Sequence, residues 1–176
     1  KYIRDSDSPA VARLKNQGAI VMGKTVTTEF ASFDPPPTRN PWGLDCTPGG
    51  SSSGSAAGVA ARMFPAALGS QTAGSVLRPA SYNGVVGFKP TLGRISRHGV
   101  FPVSWSVDTL GYFTRSVEDA ALLLDVLAGH DPLDSASAQV PVERYHQAAA
   151  AGTEPPRIGL VRDYFFERSE PRVRTH

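Results

Sequence analysis

Between residues 47 and 91, short apolar runs and one alanine-rich segment alternate with joins crowded by glycine, serine and threonine, and this pattern restricts the fold more than any other feature. A short apolar run closed off by turn formers suits a buried strand, and a longer alanine-rich run suits a helix. Residues 53 or 54 to 63 therefore read as a helix, and residues 66–70 and 85–88 as strands. Upstream, Ser8 as N-cap, Pro9 in the first helical position and Gly18 past the end bracket an amphipathic helix that carries Val11 and Leu14. Residues 19–22 should follow as a short buried strand. Downstream, Ser116 caps a helix with Asp119 three residues on; Leu122, Leu123, Val126 and Leu127 line one face, and Gly129 ends it. After a polar, alanine-rich stretch over 131–156, residues 157–162 read as one more strand. Helices alternating with short apolar strands argue for an α/β architecture without internal repeats. Residues 34–50, with Pro35, Pro36, Pro37, Pro41 and Pro48, form a long ordered loop, and such loops inside compact domains are often functional. The last strand has little after it to cover it and the first helix has no strand before it. The expectation is a single incomplete domain over residues 1–176.

Composition excludes several function classes. Hydrophobic residues make up 40% and charged residues 19%, with no apolar run near the roughly 20 residues of a membrane span, so no membrane partner is expected. Eighteen basic against sixteen acidic side chains leave a net charge of +2, and the basic residues are scattered rather than gathered on one face. Nucleic acid is not an expected partner. No apolar signal segment opens the chain, which points to the cytoplasm. Cys46, the single cysteine, can neither close an internal disulfide nor share a metal with a second thiol. His98, His130, His146 and His176 lack metal-ligand spacing, so neither a metal nor another cofactor is expected.

Two short motifs suggest chemistry and fail on context. Gly18, Gly23, Lys24 and Thr25 satisfy the phosphate-loop pattern G-x-x-x-x-G-K-[ST], but that loop needs pliable residues between its glycines. Here Ala19, Ile20, Val21 and Met22 read as a strand. Gly50, Ser52 and Gly54 match the G-x-S-x-G elbow of α/β-hydrolases, yet Thr47, Pro48 and Gly49 before it are loop rather than strand.

The whole stretch TPGGSSSGSAAGVAARMFPAALGSQTAGSVLRPASYNGVVGFKPT, residues 47–91, is far more specific. It holds a Gly-Gly-Ser-Ser segment, an alanine-rich helix, a short strand, a second Gly-Ser and a Gly-Phe-Lys-Pro-Thr run, in that order, and so resembles the amidase signature family. Flanking segments GAIVMGKTVTTEFA, TRNPWG and SVDTLGYFTRSVEDAALLLDVLAG extend the likeness from about residue 8 to residue 162. The resemblance implies part of the amidase signature fold, a mixed twisted sheet with helices on both faces.

It also implies hydrolysis of a carboxamide by a serine, a second serine in a cis peptide and a lysine. The nucleophile falls on Ser75, and the cis-serine relay on Ser51, with a cis bond expected between Gly50 and Ser51. A serine hydroxyl needs a base; a neutral lysine acting through Ser51 would take the proton of Ser75, leading to an acyl-enzyme that water hydrolyses. Backbone N–H groups of Thr72, Ala73, Gly74 and Ser75 suit the oxyanion. Relatives usually carry Gly-Gly-Ser where this chain has Ala73-Gly74-Ser75, and an alanine would be strained if the turn demanded positive φ. Arg78 could grip a substrate carboxylate, or could equally tie down neighbouring carbonyls. The Val-Lys-Asp-type motif that carries the lysine has no counterpart before Ser8, and the family's C-terminal part is also expected to be absent. The implied partner is a small-molecule amide; a homo-oligomer of a longer protein stays open. Two alternatives accompany this reading: an amidotransferase A-type subunit releasing ammonia from glutamine, and an inactive remnant acting as a binding module.

Overall fold

The computed structural model describes residues 5–152, 154–161 and 163–175. Among the described residues, six α-helices, α1 (Pro9–Asn16), α2 (Ser53–Ala60), α3 (Leu77–Asn83), α4 (Val117–Leu127), α5 (Tyr145–Ala150) and α6 (Pro171–Arg174), and a 3-10 turn at Glu29–Ala31 accompany three strands, β1 (Ala67–Gln71), β2 (Val86–Phe88) and β3 (Thr109–Thr114). The strands lie in the order β1-β3-β2, and both pairings among these described strands are antiparallel.

Strand β3 is the centre of the molecule, and every one of its residues is buried. Side chains alternate across a strand, so its two faces feed two cores. Leu110 and Tyr112 pack with Ala10 of α1 and with Ala120, Leu124 and Leu127 of α4; Phe113 packs with Ala56 and Val59 of α2 and with Val76 and Ala80 around α3. Helices therefore cover both faces, in keeping with the α/β class. On the first face the Tyr112 hydroxyl donates to Ala120 O at 2.6 Å, and the ring stacks on Phe88 with centroids 5.4 Å apart. Burial raises the Tyr112 pKa far above its ordinary value. Gly111 is required in this strand because a Cβ there would lie 2.5 Å from Phe88 O.

Local signals set the helix ends. Ser8 Oγ accepts from Val11 N and Ser116 Oγ from Asp119 N, each satisfying a first-turn donor. Helix α2 stops at Ala60 rather than 63, because Arg62 adopts φ +59°, with Arg62 N donating to Val59 O and Met63 N to Gly58 O. That pair of bonds closes a helix end in the Schellman manner. The buried stripe of α4 is Ala120, Leu124 and Leu127; Leu122 is exposed, unlike the face read from the sequence. The end of α4 is tied to α1 by Arg13, whose guanidinium donates to Leu127 O, Gly129 O and His130 O.

Two expected strands do not form among the described residues. Residues 19–22 have no sheet partner, and Ile20 is 85% exposed; residues 157–161 are likewise unpaired, with Ile158 at 87%, and residue 162 lies outside the described residues. A strand is defined by its neighbour, and no described segment forms a ladder with either run.

Candidate functional site

The serine-rich loop enters the sheet region through α2 and meets the turn between β1 and α3. Serine hydroxyls readily bond to nearby backbone, and three of those in this loop do so. Ser52 Oγ donates to Ser70 O at 3.3 Å and accepts from Ser70 N at 3.2 Å, clamping the loop to β1. Ser53 Oγ donates to Gly49 O at 2.7 Å, and Ser55 Oγ donates to Leu68 O at 2.8 Å while pairing with Thr25 Oγ1. Ser51 is only 3% exposed, and its hydroxyl makes no hydrogen bond to a described residue; neither does the hydroxyl of partly exposed Ser75. The two segments are joined by Ser52 N, which donates to Ser75 O at 3.2 Å. The Gly50–Ser51 peptide bond is cis.

Glycines make this approach possible. A Cβ at Gly50 would sit 2.7 Å from Thr28 Cγ2, and one at Gly69 would sit 2.8 Å from Ser52 Oγ. Gly49, at φ +75°, lies against Pro79 and Tyr82. Thr28 N donates to Ser51 O at 3.0 Å, so the segment after residue 25 holds the loop from outside.

The turn after β1 presents donors. Among the described residues, no backbone N–H of Thr72, Ala73, Gly74 or Ser75 donates to a protein acceptor. Neither Ala73 nor Gly74 takes a positive φ, so alanine is accommodated without strain where relatives were expected to need glycine. Thr72 Oγ1 donates to Asp108 Oδ1 at 2.5 Å, while Asp108 Oδ2 accepts from Val103 N and Ser104 N at 2.7 Å. Burial pushes the Asp108 carboxyl upward, but the bonds from Thr72, Ser104 and Val103 and the charge of Arg97 outweigh it and hold its pKa below the ordinary value.

Arg78 projects from α3 and donates from Nε and Nη2 to Gly50 O at 3.1 and 2.8 Å. Arg78 is also among the residues that line a cavity of about 170 Å³, with Thr28, Phe33, Pro35, Pro36, Thr47 and Tyr82. Its guanidinium thus ties down a neighbouring carbonyl at the edge of space a ligand could enter. Lys24 is exposed with no polar partner, and no α-helix opens after Thr25, where residues 26–28 have no regular structure and Glu29–Ala31 makes a single 3-10 turn, which removes the phosphate-loop reading. The Lys89 ammonium donates to Pro90 O. No hydrogen bond links a described lysine to Ser51 or Ser75.

Three residues that the sequence did not single out shape this site. Gln71 closes its side chain over the turn, Asp108 anchors Thr72, and Asn83 Nδ2 donates to Pro48 O and Pro79 O at 2.7 Å, fixing the approach to Gly49. Their one sequence signal is a polar side chain at the edge of an apolar element.

The amidase family model matches residues 1–176. The chain belongs to the amidase family. It is 46% identical over 98% of its length to a Geobacter metallireducens protein named as the A-type subunit of glutamyl-tRNA(Gln) amidotransferase, of which it spans 37%. Among solved structures, the Thermotoga maritima protein of the same name superposes with a TM-score of 0.74 at 45% identity, over 77% of this chain and 31% of that one. The native peptide amidase of Stenotrophomonas maltophilia superposes with a TM-score of 0.76 at 44% identity, over 83% and 32%. The chain thus spans about a third of the length of the relatives it matches. No described helix is long and apolar enough to cross a membrane.

Proposed function

We propose that this chain carries the acyl-accepting part of an amidase site, with Ser75 as nucleophile and Ser51 as proton relay. The supporting observation is the pairing pattern of the hydroxyls: in a loop where Ser52, Ser53 and Ser55 are all engaged with backbone, Ser51 stays unpaired, as does Ser75, beside four unclaimed N–H groups. In this reading Ser75 Oγ attacks the amide carbon, its proton passes to Ser51 Oγ, and the proton of Ser51 passes to a lysine acting as base. The developing oxyanion is stabilised by the amides of the 72–75 turn. Collapse breaks the C–N bond, Ser51 returns a proton to the leaving nitrogen, and water hydrolyses the ester on Ser75 to the acid. Arg78, one of the residues lining the cavity, holds a carboxylate-bearing substrate in this reading.

The test is labelling by a fluorophosphonate in the full product of the reading frame that encodes these residues, with the adduct located by mass spectrometry. An adduct on Ser75, lost in Ser75→Ala, is expected; an adduct on Ser52 would restore the elbow reading. A second reading, glutamine-dependent ammonia supply, is favoured by relatives named as amidotransferase subunits. Ammonia released from glutamine much faster than from simple aliphatic amides would select it.

A further inference from the structure

Gln71 ends β1, with its backbone in register with Thr109 of β3, and its side chain is only 4% exposed. Its amide folds over the turn that follows. Oε1 accepts from Val76 N at 2.8 Å and from Leu77 N at 2.9 Å, and Nε2 donates to Ala73 O at 3.1 Å. One planar group anchored in the sheet therefore holds the turn on both sides of Ser75. The two amides after Ser75 are consumed, the carbonyl of Ala73 is pinned, and the N–H groups of residues 72–75 remain without a protein acceptor. A carboxylate of the same length could accept the two amides but not donate to Ala73 O, and a thioether could do neither.

We infer that Gln71 is a positioning residue for the acyl-transfer step, setting the directions of the oxyanion donors and of Ser75 without touching substrate. The inference rests on the reading of Ser75 as nucleophile. Small displacements of reacting groups cost rate rather than binding, so the expected signature is a fall in kcat of about 10- to 100-fold with KM changed by no more than about threefold.

The experiment uses the full reading-frame product with Gln71→Glu and Gln71→Met, each assayed for amide hydrolysis per phosphonate-titrated site so that misfolded protein does not count. In Gln71→Glu the carboxylate keeps both amides and loses only the bond to Ala73 O, whereas Gln71→Met loses all three bonds, so kcat should fall further in Gln71→Met than in Gln71→Glu. Unchanged kcat per titrated site in either variant overturns the positioning role and leaves the Ser75 reading intact. A phosphonate adduct away from Ser75 in the unsubstituted protein overturns both.

Discussion

Ser52 sits at the centre of a G-x-S-x-G pattern, yet its hydroxyl is occupied twice by the backbone of Ser70. It holds β1 against the loop and is not free to attack. Ser52→Ala should lower stability by about 1 to 2 kcal/mol, read as a shift in the denaturant midpoint, and leave the phosphonate adduct on Ser75. Loss of labelling without loss of stability would contradict that. Arg78 combines two tasks. Because Nε and Nη2 both donate to Gly50 O, Arg78→Met deprives the serine-rich loop of two charge-assisted bonds as well as removing a cation from a residue that lines the cavity. We predict that it lowers kcat for neutral and acidic amides alike and raises KM only for the acidic ones. Unchanged kcat for neutral amides would leave Arg78 a substrate contact alone.

At the scale of elements, the turn after β1 is coupled to the segment leading into β3 through Asp108, which binds Thr72 Oγ1 and the amides of Val103 and Ser104. Its carboxyl pKa lies below the ordinary value in the folded protein. A lowered folded value means that the stabilisation is complete above the unfolded pKa and is lost as pH falls through the folded one. Asp108→Asn should therefore cost about 1 to 3 kcal/mol at pH 7, and the gap to the unsubstituted protein should shrink below about pH 4. Thermal melts of both proteins from pH 7 to pH 3 measure this; a gap constant with pH would show that ionisation is irrelevant. Asp131 and Asp134 are shifted in the same direction. Burial of each is outweighed by hydrogen bonds, from Ser96 and the Leu133 amide in the first and from Arg97 and the Ala136 amide in the second. All three carboxylates thus contribute to acid lability.

For the whole molecule, the sheet is held between two cores, and the larger depends on α4. Leu127 is fully buried between Ala10 and the Leu110–Tyr112 face of β3. Leu127→Ala removes packing that cannot easily close up, because Arg13 binds the carbonyls on either side of that helix end. A loss of about 2 to 5 kcal/mol is expected in guanidinium titration, with an unchanged adduct site in whatever fraction stays folded. A cost under about 1 kcal/mol would mean that the core relaxes around the gap.

The helix caps at Ser8 and Ser116 and the strands at 67–71 and 86–88 were legible in the sequence, because caps, turns and short apolar runs are local signals. Those signals alone did not single out Ser51 and Ser75, 24 positions apart; the family likeness named them as candidates. Other features needed tertiary structure. Residues 19–22 carry strand-like side chains but pair with nothing described, while Thr109–Thr114, with a glycine at its centre, becomes the most buried strand. Strand formation depends on a neighbour distant in sequence, and composition does not reveal that neighbour. The same holds for side chains: Ser52 and Ser51 are adjacent and chemically identical, and only the position of Ser70 decides that one is clamped while the other is left free. Gln71 and Asp108 owe their roles to backbone amides brought to them by the turn after β1 and by the loop leading into β3, so the folded backbone, not residue type, determined what they do.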